Sequence, residues 1–562
     1  MAAARSRISV LRGYQREWLR FDLAAGVSVA AVAIPTAIAY AELAGFPAVV
    51  GLYASILPLV VYALLGSSRQ LIVNPDAATC AMVAAIVAPL AAGDAGLYTS
   101  LAATLAVLTG TISIVAGVAR LGFLADFLGK PVLVGFMNGI AISILLGQIG
   151  KVFGFTLESG GILPRLFEFL SRIPETHLPT LAVGAATFVV LRGVRRFLPR
   201  WPAPLVALSV AGLLVHLFAL DREGVAVIGA VPAGLPSFEW TPVSPALWKP
   251  LLAGAGALAL VSMTSGMITA RSFASKNGYE IDVDRECIAI GASNVAAGVS
   301  QGFAVTGADS RTAVSDSMGG KTQVTGLVAA ATIAIVLLFL TGPLQFLPAA
   351  ALGAVLISAG LGLFDAGALI RFKRIREGEL LVCVAAMLGV VALGALEGIG
   401  LAVGLAMLVL LIRSSRPGDA VLGRVQGQRG FVDLASHEDA SAIPGVLLYR
   451  FAAPIIFYNA AYFRRRVLAA VDAAPEVSTL ILDATPVVHL DSTGGDTLAA
   501  LADQLEARGI RLVMGGVLPR VQRMLERSGA QAHLAPDAIF PTVRAAVQAH
   551  EGARAHLPLQ PQ

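Results

Sequence analysis

Two segments of the chain interrupt long apolar stretches with polar and helix-breaking residues. Residues 67–79 read Ser-Ser-Arg-Gln-Leu-Ile-Val-Asn-Pro-Asp-Ala-Ala-Thr, and residues 301–313 read Gln-Gly-Phe-Ala-Val-Thr-Gly-Ala-Asp-Ser-Arg-Thr-Ala. Each begins as a short extended run and continues as the start of a helix. A helix start presents unpaired N–H groups and about half a positive charge, so two facing starts attract an anion. Arg311 adds a full positive charge that persists at neutral pH. We therefore predict an anion site formed by the two segments.

Arg311 also allows a purely structural interpretation. In it, the guanidinium forms an ion pair with Asp309 or Asp76 and binds no ligand. We favour the anion site because charges inside a membrane are costly and usually functional. The ion-pair alternative stays open from the sequence.

The elements that hold these segments are membrane spans. The 562 residues are 56% hydrophobic and 14% charged, against roughly 45–50% and about 25% in soluble proteins. Apolar stretches long enough to cross ~30 Å of hydrocarbon recur from Leu23 to about Ile412, which predicts about 14 crossings. Irregular backbone at membrane depth is tolerated only where it lines a cavity or is buried in protein. Paired interruptions in two halves of a chain indicate a transporter's binding site.

Basic residues predict the orientation of the spans. They cluster in the N-terminal segment and in the interior loops 192–200 and 371–376, which is a positive-inside pattern and not a nucleic-acid patch. We read no cleaved signal peptide. We expect a cytoplasmic N-terminus over 1–21 and a membrane domain over 22–415, with 151–179 and 221–250 external. The protein is then a multi-pass protein of the cell (inner) membrane with both termini cytoplasmic.

The character of the chain changes after Arg413. We expect a linker over 416–442 and a small cytoplasmic α/β domain over 443–553. Strands are predicted at 446–451, 480–483 and 511–514, and helices at 497–508 and 521–528. Strands that alternate with helices are typical of an α/β fold.

Several motifs taken together resemble one family. They are Ile-Pro-Thr-Ala-Ile-Ala-Tyr-Ala-Glu-Leu-Ala-Gly at 34–45, Gly-Ser-Ser-Arg-Gln at 66–70, Asn-Gly-Tyr-Glu-Ile-Asp at 277–282, Thr-Gly-Ala-Asp-Ser-Arg at 306–311, Phe-Tyr-Asn-Ala at 457–460 and Asp-Ser-Thr-Gly at 491–494. The chain resembles the sulfate permease (SulP) family, the bacterial relatives of the solute carrier 26 anion transporters, with a C-terminal STAS domain. The resemblance covers nearly the whole chain.

The resemblance implies a fold, a movement and a set of site residues. The fold is an all-α polytopic membrane domain built as a seven-plus-seven inverted repeat of the uracil-permease type. Spans one to four and eight to eleven form a core that carries the anion and slides against a gate formed by the other spans, in an elevator movement. A homodimer is implied as well. The substrate-binding residues are expected to be Tyr40, Asp76, Ala77, Ala78, Asp309, Ser310 and Arg311.

Two departures from the family pattern bear on ion coupling. Ser265 stands where relatives commonly carry an acid, before a run that contains Thr269. Asp309 stands where relatives have an apolar or aromatic residue. We hypothesise that the coupling carboxylate has moved to Asp309, with Ser265 and Thr269 as further candidates. In the alternative, Asp309 only neutralises Arg311.

Three other polar residues each have a functional and a structural interpretation. Glu42 is a candidate proton carrier, or a solvated residue near the external end of the first span. Asn74, where relatives often have Gly, is expected to cap the following helix, with trimming of the cavity as the alternative. Ser492 matches the serine that is phosphorylated in anti-sigma-factor antagonists, or belongs to a turn that only caps a helix.

The predicted function is secondary active transport of a small inorganic anion, with sulfate favoured and with proton coupling, sodium coupling or exchange. Bicarbonate, a C4-dicarboxylate and an uncoupled channel are alternatives. A nucleobase carrier and a signalling protein with a vestigial pore are further ones. Three well-separated cysteines and seven histidines form no metal or catalytic motif. We therefore expect no enzyme activity, no metal and no cofactor.

Overall fold

The computed structural model describes residues 14–122, 129–157, 159, 161–198, 201–236, 243–375, 377–427 and 430–555. The chain divides into two compact units, Met1–Ala406 and Met407–Gln562. Most of the predicted N-terminal segment 1–21 therefore lies outside the described residues, as do residues 199–200 and 376 of the two basic loops.

The first unit is helical. Its helices are α1 (Leu19–Leu43), α2 (Ala48–Tyr53), α3 (Leu57–Leu65), α4 (Ala77–Ala91), α5 (Ala95–Val118), α6 (Lys130–Phe153), α7 (Ile162–Arg172), α8 (Leu178–Phe197), α9 (Ala203–Phe218), α10 (Trp248–Lys276), α11 (Val283–Val299), α12 (Asp309–Ser317), α13 (Val324–Phe339), α14 (Ala349–Leu363), α15 (Ala366–Ile375), α16 (Glu377–Leu393) and α17 (Ala395–Ser415), the last of which crosses into the second unit. Two strands of two residues each, β1 (Val73–Asn74) and β2 (Thr306–Gly307), interrupt the helices.

Within the described ranges, eight helical stretches are long and apolar enough to cross a membrane, and α4, α9, α13 and most of α16 are shorter apolar helices. We count α2 and α3 as one segment and leave out the amphipathic α7 and α15. The described residues then contain seven helical segments up to α9 and seven from α10 onwards. The strand precedes the third segment in each set. This arrangement agrees with the predicted count of about 14 spans.

The helices of the first unit pack as two bundles. In the first bundle, α1 to α5 pack with α10 to α13, and in the second bundle α6, α8, α9, α14 and α16 pack with one another. The contacts between the bundles include those of α1 with α9 and α14, and those of α4 with α6. The first bundle thus contains the spans that the resemblance assigns to a substrate-carrying core.

Small residues let the helices of the first bundle approach closely. A Cβ atom added to Gly110 of α5 would lie 2.4 Å from the carbonyl oxygen of Gly291 of α11, and one added to Gly298 would lie 2.6 Å from the carbonyl oxygen of Ala103. Close backbone contact of this kind is how membrane helices gain packing energy, since lipid offers no hydrophobic drive for association.

A buried carboxylate fixes the loop that leads into β1. Glu286 at the start of α11 is fully buried. It accepts hydrogen bonds from the Tyr62 hydroxyl at 2.6 Å, from the Ser67 N–H at 2.6 Å and hydroxyl at 2.7 Å, and from the Ser68 N–H at 2.9 Å. Four donors replace the water that the carboxylate has lost. The path of the chain into β1 is therefore set by α11.

The second unit is an α/β domain. Its strands are β3 (Asp419–Val425), β4 (Val432–Asp433), β5 (Ala440–Ser441), β6 (Val446–Phe451), β7 (Thr479–Asp483), β8 (Arg511–Gly515) and β9 (Ile539–Phe540), and its helices are α18 (Ala460–Asp472), α19 (Ser492–Glu506), α20 (Pro519–Ser528) and α21 (Val543–Ala555). The sheet order is β4-β3-β6-β7-β8-β9, with β5 paired to β3. Strands β6 to β9 are parallel, and β3 is antiparallel to β6.

The sheet begins earlier in the chain than we expected. Residues 416–442 were predicted to form a linker, but β3 pairs with β6 over four residues, from Asp419 opposite Phe451 to Leu422 opposite Leu448. Leu422 is buried in the core of this domain together with Val446 and Ile481. The predicted linker thus contains the strands β3, β4 and β5 of the sheet, and β3 covers the edge that β6 would otherwise expose.

Candidate anion site

The two interrupted segments meet and pair with each other. Strand β1 is antiparallel to β2, with Val73 opposite Gly307 and Asn74 opposite Thr306. The Ala308 N–H also donates to the Ile72 carbonyl at 2.8 Å. Since β1 leads into α4 and β2 leads into α12, the two helix starts come together at this crossing. The juxtaposition that the anion site requires is therefore present.

Helices α10 and α11 support the crossing from the side of β2. The Ser262 hydroxyl of α10 donates to the Val305 carbonyl at 2.9 Å, and the Thr306 hydroxyl donates to the Ser262 carbonyl at 2.8 Å. Asn294 of α11 donates to the Val305 carbonyl and accepts from the Val305 N–H, both at 2.9 Å. These bonds satisfy the Val305 backbone groups and the Thr306 hydroxyl. Without them, these polar groups would be unpaired at membrane depth.

Arg311 is the largest of the fully buried side chains, with 1% exposure. Its guanidinium donates to the Pro75 carbonyl and, at 3.1 Å, to the Ser310 hydroxyl. It also lies 5.4 Å from the centroid of the Tyr40 ring. The Nε atom has no hydrogen-bond partner among the described residues. Arg311 thus connects α12 to the segment before α4, and its Nε–H remains available to donate a hydrogen bond.

The described residues provide no carboxylate within 4.0 Å of the Arg311 guanidinium. The ion pairs with Asp309 or Asp76 that formed the structural alternative are therefore absent. A buried guanidinium that no carboxylate contacts directly is costly, and it favours the entry of an anion.

The other predicted substrate residues surround the two helix starts. Asp76 is the N-cap of α4 and accepts from the Ala78 N–H at 3.3 Å, while Ala77 and Ala78 are each 1% exposed. Asp309 and Ser310 are exposed, so the protein leaves the crossing uncovered on the α12 side. Tyr40 from α1 is buried and completes the group.

Asn74 does not cap α4, contrary to our expectation. It belongs to β1, and Asp76 occupies the capping position. The Asn74 side chain is fully buried, and neither atom of its carboxamide has a hydrogen-bond partner among the described residues. The capping prediction failed because Asn and Asp have similar N-cap preferences, and the helix begins only after Asp76.

Three coupling candidates lie together between α10 and α12. The Thr269 hydroxyl forms a short hydrogen bond with Asp309 Oδ1 and lies 3.0 Å from the Ser265 carbonyl oxygen. The Asp309 carboxylate is thus bonded to α10. At the same crossing, a Cβ atom added to Gly307 would lie 2.8 Å from Gly266 Cα, so β2 and α10 are in close contact.

Glu42 and Ser492 occupy different surroundings. Glu42 forms an ion pair with Lys151 of α6 at 2.6 Å. Ser492 is the first residue of α19 and is exposed. The cap of α19 is Asp491, which accepts from the Gly494 N–H at 2.7 Å and from the Phe457 N–H at 2.8 Å. The described residues contain no group of three or more His, Cys, Asp or Glu that could hold a metal ion.

Some residues that build the site carried little or no signal in the sequence. Ser262 is one, because a serine within an apolar helix has no motif that predicts a partner in a distant strand. Thr312 is another, and its hydroxyl accepts from the Ile72 N–H at 3.0 Å. Asn294 is a third, because no pattern in the sequence predicts its contact with Val305.

A bundle of membrane helices with two interrupted segments crossing at a buried arginine defines a class of anion transporter. The profile of the sulfate permease family matches residues 19–386, and that of the STAS domain matches residues 439–546. The chain belongs to the sulfate permease family, carries a C-terminal STAS domain, and is a multi-pass integral membrane anion transporter and not an enzyme. The predicted fold class is confirmed.

Relatives of known name are similar over most of their length. A protein named a probable sulfate transporter of Mycobacterium tuberculosis (strain CDC 1551 / Oshkosh) is 42% identical over 96% of each chain. Sulfate transporter 3.1 of Arabidopsis thaliana is 32% identical over 95% of this chain and 85% of its own. The murine solute carrier 26 member A9 anion transporter, in the inward-facing state, matches with a TM-score of 0.89 at 26% identity over 96% of this chain and 93% of its own. The transmembrane domain of the cyanobacterial bicarbonate transporter BicA matches with a TM-score of 0.62 at 25% identity over 70% of this chain and 99% of its own.

Proposed function

We propose that the protein is a secondary active transporter that carries a small inorganic oxyanion, with sulfate as the favoured substrate. The observation that carries this proposal is Arg311, which is buried at the crossing of two helix starts and has no carboxylate within 4.0 Å in the part of the chain that the structure describes. The choice of sulfate is supported by relatives named probable sulfate transporter, at 42% identity, and sulfate transporter, at 32% identity.

The chemistry of the site suits a small, multiply charged oxyanion. The starts of α4 and α12 are the positive ends of their helix dipoles, which favours an anion between them. The Ala78 N–H of α4 is itself bonded to Asp76 at 3.3 Å. Arg311 supplies a fixed charge with planar donors that match oxyanion geometry. These donors do not distinguish sulfate from bicarbonate or from one end of a C4-dicarboxylate. A bicarbonate transporter is among the similar folds, so bicarbonate is the second candidate.

Uptake into proteoliposomes tests the proposal. We expect labelled sulfate to enter faster than bicarbonate or fumarate, and Arg311→Ala to abolish uptake. Arg311→Lys keeps the charge but loses the planar fork, and is expected to retain only a small fraction of the rate. Lys276→Met, which removes a 67% exposed cation elsewhere in the first bundle, is the matched control and should transport normally. Equal rates for wild type and Arg311→Ala would contradict the assignment.

We infer that transport proceeds by movement of the first bundle against the second, in an elevator manner. The support is the division into bundles, in which both helix starts of the anion site belong to the first bundle and are hydrogen-bonded to each other. The bound anion then travels with that bundle. Accumulation of sulfate against its own gradient, when a proton or sodium gradient is imposed, distinguishes this carrier from an uncoupled channel.

We propose Asp309, hydrogen-bonded to Thr269 near Ser265, as the coupling carboxylate for a proton or sodium ion. The contact of Asp309 with α10, and the absence of an ion pair with Arg311 among the described residues, support this role over simple charge neutralisation. Asp309→Asn is expected to transport sulfate without dependence on the imposed gradient. Gradient dependence unchanged in Asp309→Asn would assign coupling to another group.

We further propose cytoplasmic termini, a homodimer and regulation at Ser492. Basic residues near the N-terminus support the orientation, and the exposed position of Ser492 at the start of α19 makes it accessible to a kinase. Protease accessibility in sealed vesicles tests the orientation, and light scattering in detergent tests the dimer. Ser492→Glu is expected to change the sulfate uptake rate relative to Ser492→Ala.

A further inference from the structure

The structure joins the two bundles by an ion pair at one end. Glu42 lies in the last turn of α1, two residues after Tyr40 of the anion site, and Lys151 lies in the last turn of α6. The Lys151 Nζ atom is 2.6 Å from Glu42 Oε1. Since α1 belongs to the first bundle and α6 to the second, this charge contact crosses the interface along which the proposed movement takes place.

Each partner is fixed to its own bundle by packing. The end of α1 is held against α2, where a Cβ atom added to Gly51 would lie 2.0 Å from the Ala37 carbonyl oxygen and 2.9 Å from Ala41 Cβ. Lys151 lies against α14, where a Cβ atom added to Gly353 would be 3.5 Å from Lys151 Cβ. A displacement of one bundle therefore moves Glu42 relative to Lys151 and cannot be absorbed by a local shift of α1 alone.

The exposure of the pair suits a contact that opens and closes. The Lys151 and Glu42 side chains are 29% and 28% exposed, respectively. Fully buried pairs are very costly to break because each charge is left without solvent, whereas exposed pairs are rehydrated on opening and contribute little net stability. A partly exposed pair is intermediate, because it favours one arrangement of the bundles without locking it. The second oxygen of Glu42 is buried and has no hydrogen-bond partner among the described residues, so Lys151 carries the polar contact of this carboxylate.

We propose that Glu42 and Lys151 form a fastener between the two bundles that must open in each transport cycle. The inference rests on the proposed function, since a fastener has a role only if the bundles move. A relative displacement that takes the two atoms from 2.6 Å to beyond 4.0 Å ends the ion pair. Glu42 and Lys151 then act as positioning residues, which set the arrangement of the bundles and do not bind the anion.

Reversible cross-linking of a cysteine pair tests the fastener. The variant Glu42→Cys/Lys151→Cys is joined in proteoliposomes with a bifunctional methanethiosulfonate reagent, and sulfate uptake is measured before joining, after joining, and after reduction. We expect joining to lower the uptake rate at least tenfold and reduction to restore it. Unchanged uptake in the joined protein would overturn the proposal, because the two residues would then not need to separate.

The matched control is an ion pair of the same length within the first bundle. Lys276 of α10 and Asp316 of α12 are also 2.6 Å apart. The variant Lys276→Cys/Asp316→Cys, joined in the same way, should transport as well joined as reduced. The native cysteines, Cys80, Cys287 and Cys383, are all buried, and the wild-type protein treated with the reagent measures their contribution. If neither wild type nor any reduced variant moves an anion, the proposed function fails and not the fastener alone.

The charges themselves are tested without cross-linking. Glu42→Gln and Lys151→Met are expected to change the sulfate uptake rate by the same factor, with the double variant changing it no further. The charge-swapped variant Glu42→Lys/Lys151→Glu should return the rate to within about twofold of wild type. Independent, multiplicative effects of the two single variants, or no effect of either, would overturn the proposal.

Discussion

At the scale of single residues, the anion site depends on a cation held beside an aromatic face. The Arg311 guanidinium lies 5.4 Å from the centre of the Tyr40 ring, within the range where the ring quadrupole attracts a cation. This contact orients a side chain whose Nε has no hydrogen-bond partner in the described part of the chain. Tyr40 thus lines the site and also helps to orient the Arg311 guanidinium.

Replacement of Tyr40 separates the role of its ring from that of its hydroxyl. Tyr40→Phe keeps the ring and is expected to leave the apparent affinity for sulfate nearly unchanged. Tyr40→Leu removes a contact of about 0.5–2 kcal/mol, so the apparent KM for sulfate should rise roughly 2- to 30-fold. The concentration dependence of uptake measures both. If Phe and Leu weakened uptake equally, the hydroxyl would be the important group.

Asn74 makes a prediction about stability. Its two carboxamide atoms are buried without partners in the described residues, and such atoms cost about 1–3 kcal/mol. Asn74→Leu replaces the amide by an apolar group of similar shape, so we expect a higher unfolding temperature in detergent. A lower unfolding temperature would mean that the amide has a partner, such as bound water or substrate, that sustains it.

At the scale of elements, the anion site needs close contact of β2 with α10. A Cβ atom added to Gly307 would lie 2.8 Å from the backbone Cα of Gly266, whereas one added to Gly266 would lie 2.6 Å from the flexible end of Ile290. Gly307→Ala therefore pushes the backbone of β2 away from the backbone of α10. Gly266→Ala displaces only the terminal methyl group of Ile290. The same extra carbon has different consequences at the two positions.

We expect Gly307→Ala to lower stability by about 1–3 kcal/mol and to lower sulfate uptake sharply, with Gly266→Ala affected less. Thermal unfolding and uptake of the purified variants measure the difference. Gly256→Ala on α10 is the control, because a Cβ atom there has no neighbour within 4 Å. If Gly307→Ala behaved like Gly256→Ala, close contact at the crossing would be unnecessary.

The sequence predicted the two interrupted segments but not how they pair. Pro75, Gly302 and Gly307 are local signals of broken helices, and they can be read without a structure. The register that places Asn74 opposite Thr306 depends on contacts between residues more than 200 positions apart, which no local pattern contains. The sequence also does not show the direction of each side chain, so it could not predict that Arg311 and Asp309 form no ion pair in the described residues. Strand β3 was taken for linker because Gly423 and Arg424 interrupt its apolar alternation.

At the scale of the whole molecule, the membrane unit and the α/β unit each have their own core. In the α/β unit, one face of the sheet packs under α18 to α20, and the other face packs with α21 through Leu422, Val446 and Val547. Strand β3 is internal to the sheet order. Its loss would expose β6 as a long apolar edge strand, which is a template for aggregation.

The domain boundary can be tested with two fragments of the chain. A fragment of residues 416–555 contains every strand of the sheet and is expected to be soluble and monodisperse. A fragment of residues 443–555 lacks β3, β4 and β5 and is expected to aggregate. Size-exclusion chromatography and circular dichroism compare them. If the shorter fragment were equally soluble and structured, the strands before residue 443 would be dispensable.

The pairing of β1 with β2 also has a consequence for how the protein is made. Val73 bonds to a strand that lies about 230 residues further along the chain. At a synthesis rate of ~5–20 residues per second, roughly 10–50 s separate the emergence of the two strands from the ribosome. During that interval the first half sits in the bilayer with its strand unpaired. A nascent chain arrested before residue 306 therefore cannot assemble an anion site. Its unpaired backbone N–H and C=O groups are then accessible to the quality-control proteases of the membrane.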